Sequence, residues 1–369
     1  NISLLISSFF LVLIILEIAV RLFLPQSLIY YNNDIWRDDS LFGNRHYENI
    51  DTYVSSGEQG KINFSTNEFG HRVEKNISEE IQINDMNVLV LGDSFIEAIQ
   101  VSNEDTIPSI LSRNIKSKTG LDVGFDNAAV AVWGPSQYYL ESKNMLKQKH
   151  YDLGLIFLFL GNDIVDEFKL SFEPHSYTHP AKFLMPTSLD FSELKQKIFY
   201  PINDYFEVRS HLFIFSKRKL KTLFAKIGLT AYYFSDNYIL EYEHSKKWDT
   251  TLDIAIAIQN EFKNQEAEAI FIFLPTNFQV HNDIFENYIE YFNINRDAID
   301  IDMPNRILKS LFKKNNISFI DPLEYMRNNN NGNYLYEELD AHFNKAGQYI
   351  VAEYLLQYLI SEIEKIKKN

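Results

Sequence analysis

The sequence of 369 residues contains no cysteine. This absence excludes a disulfide framework, cysteine-ligated zinc or iron–sulfur clusters, and a cysteine nucleophile. Basic residues are also few, with 35 Lys and Arg against 50 Asp and Glu, which gives a formal net charge of −15. Because nucleic-acid phosphates are negative and the lysines form no segregated basic face, we expect no nucleic-acid partner. What the chain does have is 46% hydrophobic residues, enough for a packed core.

A long apolar segment occupies the N-terminus. Residues 2–24 are mostly apolar, and their only charged residues are Glu17 and Arg21. As a helix, this segment would span the hydrocarbon core of a bilayer, about 30 Å, and Arg21 would lie one turn from Glu17. We predict an uncleaved transmembrane anchor over residues 1–25. A cleaved signal peptide, for which no small-residue cleavage site is present, and a buried core helix are the alternatives.

Strands alternate with helices along the rest of the chain. Residues 26–86 predict an irregular lead-in with short strands, and residues 87–369 an α/β domain with an insertion at about 164–250. Apolar runs predict buried strands at 87–91, 155–160 and 269–274, and further strands are predicted at 123–126 and 317–320. Helical spacing predicts helices at 106–118, 135–150, 212–224, 251–262, 303–314 and 344–368. Strands that are apolar on both faces predict a three-layer α/β/α fold with a mostly parallel sheet.

Three polar clusters carry the chemistry-bearing side chains. Gly92-Asp93-Ser94 and Gly161-Asn162-Asp163 follow predicted strands, and residues 340–344 precede the last helix. In open α/β sheets ligands bind at the carboxyl ends of the strands. A hydroxyl, an imidazole, a carboxylate and an amide together suit acyl transfer through a serine ester.

Each predicted role follows from that chemistry. Ser94 is the candidate nucleophile, His342 the base that takes its proton, and Asp340 the acid that orients the imidazole. The backbone N–H of Ser94 and the side chain of Asn162 are the candidate donors to the oxyanion. Taken alone, each cluster also has an ordinary explanation as a helix cap or a turn, including capping of the last helix by Asn344. Their combination at strand ends favours a site.

Metal chemistry finds little support in the sequence. Asp163 and Asp166 are typical of a polar turn, and His175 and His179 lie in a loop-like context beside Pro180. We therefore expect no metal and no cofactor.

The polar clusters resemble the motif blocks of the SGNH hydrolases, the GDSL-motif family. Residues 90–95 are similar to the first block, 160–163 to the third and 340–347 to the last, and residues 66–72 are similar to a segment that precedes the first block in membrane-anchored bacterial members. The resemblance implies an esterase fold, a nucleophile at Ser94, an oxyanion donor at Asn162, and an acid and base in the last block.

Two positions depart from the family pattern. The acid usually lies three residues before the histidine, a position held here by Leu339, whereas Asp340 lies two before it. The second block usually supplies an oxyanion-hole glycine, and counting five residues past Asn127 reaches Val132. The backbone N–H of Val132, or that of Gly134 in a shifted register, is the candidate donor.

These observations predict a serine-dependent ester hydrolase or O-acyltransferase of the bacterial envelope. By analogy with the family that it resembles, its substrate would be an acylated carbohydrate, expected to be an O-acetylated glycan, or a small ester. The expected partners are the bilayer, through residues 2–24, and a membrane protein, with the soluble body in the periplasm or outside the cell. The alternative is an inactive SGNH-fold subunit of a membrane complex. The aromatics of the insertion predict a satellite core, or otherwise a sugar- or lipid-binding groove.

Overall fold

A computed structural model shows the fold of the chain over residues 2–26, 28, 35–55, 61–74, 84–172, 200–226, 235–292, 294–337 and 341–366. Five residues named above, His175, His179, Pro180, Leu339 and Asp340, lie outside these described residues.

The described residues form nine strands and twelve α-helices. The strands are β1 (Trp36–Asp39), β2 (Gly43–His46), β3 (Asp51–Ser55), β4 (Lys61–Ser65), β5 (Met86–Leu91), β6 (Val123–Asn127), β7 (Leu153–Phe159), β8 (Glu268–Leu274) and β9 (Ser318–Ile320). The helices are α1 (Ile2–Phe23), α2 (Ser94–Glu97), α3 (Ile107–Thr119), α4 (Pro135–Met145), α5 (Tyr200–Glu207), α6 (His211–Lys226), α7 (Lys247–Lys263), α8 (Asn277–Val280), α9 (Asn282–Phe292), α10 (Met303–Lys314), α11 (Leu323–Asn329) and α12 (Lys345–Ile366).

The last five strands make one sheet in the order β6-β5-β7-β8-β9, and every neighbouring pair is parallel. This is the flavodoxin-like order, in which the chain moves outward from β5 first to one side and then to the other. The point where the direction reverses lies between β5 and β7. The carboxyl ends of these two strands therefore border the crevice in which such sheets bind ligands.

Alternate residues of each strand face two different hydrophobic cores. Leu89 and Leu91 of β5 join one core with α4, α7 and α10. Val88 and Val90 join the other with α3, α11 and α12. Helices thus cover both faces of the sheet, and the predicted three-layer α/β/α fold is confirmed.

The lead-in forms two antiparallel hairpins rather than part of the main sheet. β1 pairs with β2, and β3 pairs with β4. Buried side chains from this region, among them Ile35, Trp36 and Phe64, join the core that contains α4 and α7. The lead-in is therefore packed against the α/β body on one face.

The boundaries of two helices differ from the sequence prediction by four residues or more. α4 ends at Met145 instead of near residue 150, because the chain turns there. The N–H groups of Gln148 and Lys149 both donate hydrogen bonds to the carbonyl oxygen of Met145. α7 begins at Lys247 instead of Thr251. Lys247 is buried, and its Nζ lies 2.8 Å from Asp236 Oδ1.

Several elements were not predicted. Helices α5, α9 and α11 lie in segments for which the sequence predicted no helix. The prediction that the aromatics of the insertion form a satellite core is wrong for Tyr205 and Phe206. Both side chains are exposed, because α5 packs mainly on α6. Phe168, by contrast, packs edge-on against Tyr139 of α4.

The N-terminal helix stands apart from the cores. α1 is long and apolar enough to cross a membrane, and its most apolar stretch is not buried in the protein. The expected contact between its two charges is present, with Arg21 Nε 2.6 Å from Glu17 Oε1.

A close approach in β7 gives a test of the sheet packing. Gly154 lies under α7, where an added Cβ would sit 2.3 Å from the ring of Phe262. We expect Gly154→Ala to lower the free energy of unfolding by about 1–3 kcal/mol, because the buried ring has no room to move. Gly124→Ala in β6 is the control, since its Cβ meets only the end of the Asn84 side chain. Equal denaturant midpoints for the two variants would contradict this packing.

Candidate active site

The candidate nucleophile lies at the start of a short helix directly after β5. Asp93 caps this helix, and its Oδ1 accepts the N–H of Phe95 at 2.9 Å. Ser94 is the first helical residue and is partly exposed, whereas Phe95, Ile96 and Glu97 are buried. The geometry presents the serine hydroxyl at the carboxyl edge of the sheet.

The candidate base reaches the serine from the other end of the chain. His342 Nε2 lies 2.6 Å from Ser94 Oγ. The imidazole ring packs on Phe95, with 4.8 Å between ring centroids, and Phe95 in turn stacks on Phe159 at the end of β7. Aromatic packing therefore fixes the ring beside the hydroxyl.

The loop that carries His342 is fastened to α12 and to α2. Asn344 Oδ1 accepts the N–H of Gly347, so the capping role considered for Asn344 is real. Its Nδ2 also donates to the carbonyl of Tyr336 at 3.1 Å. The buried Gln348 of α12 donates to the carbonyl of Phe95 at 3.0 Å. The helix that follows His342 is thus tied to the helix that begins with Ser94.

The two candidate oxyanion positions lie on neighbouring loops. Asn162 follows β7 and is exposed, and its side chain is close enough to Asp93 to lower the pKa of that carboxyl. Val132 has φ +72°, in the left-handed region that β-branched residues rarely adopt and glycine adopts freely. Gly134 instead has φ −138° and donates its N–H to Gln137 Oε1 in the cap of α4. The backbone therefore favours Val132 as the counterpart of the family's glycine, and the oxyanion role of both residues stays a prediction.

Two buried carboxyl groups lie behind Ser94. Burial raises the pKa of Asp93 to about 6, and nearby Glu97 adds to this, while the N–H of Phe95 and His342 act in the opposite direction. Burial and the neighbouring Asp93 hold the pKa of Asp163 well above its usual range. Asp163 accepts the hydroxyl of Tyr138 at 3.0 Å and joins α4 to the end of β7, as expected of a turn residue.

The sequence analysis missed a buried arginine that holds α2, the helix that begins with Ser94. The guanidinium of Arg72 donates to the carbonyl oxygens of Glu97 and Ala98, both at 2.6 Å, and of Val101 at 2.7 Å. It also donates to Asn103 Oδ1 at 2.8 Å. Carbonyl groups at a helix C-terminus lack internal partners, so the cation satisfies the end of α2. Its segment, residues 66–72, was noticed by resemblance, but nothing in the sequence revealed its target.

A second lead-in contact reaches the same helix from the side. Glu97 Oε1 lies 2.6 Å from His46 Nε2 and accepts the indole N–H of Trp36 at 2.7 Å. Nearby, the guanidinium of Arg45 forms a bidentate ion pair with the carboxylate of Glu141 in α4, with hydrogen bonds of 2.7 and 2.9 Å. The lead-in hairpins therefore contact the element that carries Ser94 through buried polar bonds.

Within the described ranges, no group of three or more His, Asp or Glu side chains is arranged to hold a metal ion. The orienting acid Asp340 lies outside the described residues, so its role stays a prediction.

Known proteins resemble the chain in structure but not detectably in sequence. No protein-family profile and no curated protein matches it. Similar solved structures include the acetyl xylan esterase AlAXEase (14% identity, TM-score 0.41, covering 74% of this chain and 99% of that chain). Others are the esterase EstA from Pseudoalteromonas sp. (13%, 0.39, 77% and 100%) and a lipolytic G-D-S-L family member from Veillonella parvula (12%, 0.39, 74% and 97%). At these TM-scores, the strand order and the site geometry carry the conclusions about this chain.

The raised pKa of Asp93 gives a pH-dependent prediction. Its folded-state pKa of about 6 exceeds the usual 3.8, so stability present below pH 3.8 is lost as pH rises through 6. Asp93→Asn keeps an acceptor for Phe95 and removes the charge. We expect its free energy of unfolding, relative to wild type, to rise by about 1–3 kcal/mol between pH 4 and pH 8. Asp38→Asn, at an exposed carboxylate, is the control, and a pH-independent difference for Asp93→Asn would contradict the assignment.

The contacts of Arg72 predict a large effect of its loss. Arg72→Met leaves three carbonyl groups and Asn103 without this donor, so we expect a loss of about 3–5 kcal/mol in unfolding free energy. Arg113→Met removes an exposed arginine and should change stability by less than about 1 kcal/mol. Urea denaturation of both variants checks this, and similar midpoints would show that Arg72 does not stabilise α2.

Proposed function

We propose that the chain is a serine-dependent ester hydrolase or O-acyltransferase that works through an acyl-Ser94 intermediate. The observation that carries the proposal is the 2.6 Å contact between Ser94 Oγ and His342 Nε2 at the carboxyl edge of the sheet. A nucleophile within hydrogen-bond reach of an imidazole is the arrangement that activates a serine.

The first half-reaction forms the acyl-enzyme. Ser94 Oγ attacks the ester carbonyl while His342 Nε2 takes the hydroxyl proton, which requires the imidazole to carry its other proton on Nδ1. Asp340 is proposed to accept that N–H. The negative charge on the former carbonyl oxygen would be bound by the N–H of Ser94 and the side chain of Asn162, with the N–H of Val132 as the third donor. The leaving alcohol then takes the proton from His342.

The second half-reaction releases the acyl group. Water, or the hydroxyl of a second substrate, loses its proton to His342 and attacks the acyl carbonyl. The bond between the acyl carbon and Ser94 Oγ then breaks, and Ser94 Oγ takes the proton back from His342. With water the reaction is hydrolysis, and with a sugar hydroxyl it is acyl transfer. Both use the same residues.

The proposed location is a membrane surface outside the cytoplasm. The length and apolar character of α1 support an anchor over residues 1–25. An enzyme held there would meet acylated envelope glycans, and we propose an O-acetylated carbohydrate as substrate. The sheet body from residue 87 onward would form the catalytic domain, with residues 26–86 as its lead-in.

Turnover of p-nitrophenyl acetate by the detergent-solubilised chain tests the proposal. We expect wild type to release p-nitrophenol, and Ser94→Ala and His342→Ala each to lower kcat by about 10³-fold or more, since nucleophile and base act as a unit. Ser102→Ala, at a serine outside the site, is the matched control and should retain wild-type turnover.

Equal rates for wild type and Ser94→Ala would reject the proposal. No turnover by a folded wild-type chain would favour the alternative of a structural or binding subunit.

A further inference from the structure

The basic helix of the insertion begins against the apolar N-terminal helix. The carboxylate of Glu17 in α1 accepts the hydroxyl of Ser210 at 2.7 Å and the backbone N–H groups of His211 and Leu212 at 3.0 and 2.8 Å. The first N–H groups of a helix lack internal partners and favour a negative charge. Glu17 therefore caps α6, and the charge that interrupts the apolar segment has a structural function.

The position of Glu17 places α6 near one end of the apolar segment. Glu17 precedes Phe23, the last residue of α1, by six residues, or about 9 Å along the helix axis. Beyond α1, the backbone N–H of Gln26 donates to His211 Nδ1 at 2.8 Å. α6 also contacts α9 of the α/β body. It therefore connects the N-terminal helix to the body near one end of the apolar segment.

The charge of α6 is opposite to that of the whole protein. Its sequence has five Lys and Arg and no Asp or Glu, namely Lys217, Arg218, Lys219, Lys221 and Lys226. The chain as a whole carries −15. A concentration of positive charge beside an apolar helix fits a surface of anionic lipid phosphates.

Apolar side chains are exposed in the same part of the molecule. Ile202, Tyr205 and Phe206 of α5 and Leu220 of α6 are between 40% and 56% exposed. The guanidinium of Arg209, in the turn between the two helices, lies 4.4 Å from the ring centroid of Tyr205. Aromatic rings beside basic side chains are enriched where proteins meet the bilayer interface.

We propose that helices α5 and α6 lie on an anionic bilayer surface, with the positive charge of α6 facing the lipid phosphates and the exposed apolar side chains of both helices among the headgroups. This docking rests on the membrane anchor proposed above and adds a second contact with the membrane. One helix alone would leave the body free to tilt. Two contacts hold it close to the bilayer in one orientation, so the enzyme would act on substrates at the membrane surface.

The absence of cysteine allows a clean test with single labels. Leu220→Cys, Ile14→Cys and Tyr358→Cys place an environment-sensitive fluorophore on α6, on α1 and on the exposed side of α12. Each full-length variant is placed in nanodiscs of phosphatidylcholine with or without phosphatidylglycerol, and quenching by spin-labelled lipid is measured. We expect quenching at position 14 in both lipids, at position 220 strongly only with phosphatidylglycerol, and at position 358 in neither.

A charge variant sharpens the test. Adding Lys219→Gln should lower the ratio of docked to undocked label at position 220 about fivefold, since one basic residue near an anionic surface has an effect of this size. Lys118→Gln, at an exposed lysine of α3, should leave the ratio unchanged. High salt should also release the label at position 220 and not the label at position 14.

The outcomes separate the docking from the anchor. Quenching at position 14 without quenching at position 220 overturns the docking and leaves the anchor standing. No quenching at either position overturns both. A blue-shifted label at position 220 without lipid quenching means that protein, either a second copy or this chain, covers the helix, and this also overturns the docking.

Discussion

The buried guanidinium of Arg72 is the contact on which the arrangement of the site depends. It occupies the C-terminal end of α2, a helix of only four residues, and bonds the carbonyl groups of Glu97, Ala98 and Val101. Burial lowers the pKa of Arg72 to about 10, so the group stays charged at neutral pH. Asp93 caps the other end of the helix. These contacts at both ends stabilise a helix that is too short to be stable alone, and they fix the position of Ser94.

The sheet brings the remaining groups to this helix. Because β5 and β7 are neighbouring parallel strands at the point where the strand order reverses, Ser94 and Asn162 follow strand ends that face the same crevice. His342 comes from a distant part of the sequence and is held by the ring of Phe95, the residue after the proposed nucleophile. The packing of one aromatic side chain therefore links the hydroxyl to its proposed base.

The sequence predicted the strands of the sheet well, but it did not predict the residues that hold the candidate site in place. The apolar runs at 87–91 and 269–274 are buried on both faces, so composition alone identified them as strands. Ser94 and His342 were predicted as a pair because their side chains carry recognisable chemistry, and the structure places them 2.6 Å apart. Arg72 was missed because its partners are backbone carbonyl groups, which have no sequence signature. The exposure of Tyr205 and Phe206 was missed for a related reason: an aromatic residue predicts burial unless the neighbouring surface is known.

Covalent labelling tests directly whether His342 activates the hydroxyl of Ser94. The full-length chain in detergent is treated with a fluorophosphonate, digested, and mapped by mass spectrometry. An activated serine reacts with such a reagent because an adjacent base removes its proton as the oxygen attacks phosphorus. We expect an adduct on Ser94 in the wild-type chain and no adduct in His342→Ala, whose fold is retained. An unlabelled Ser94 in the folded wild-type chain, or an adduct on another residue, would contradict it.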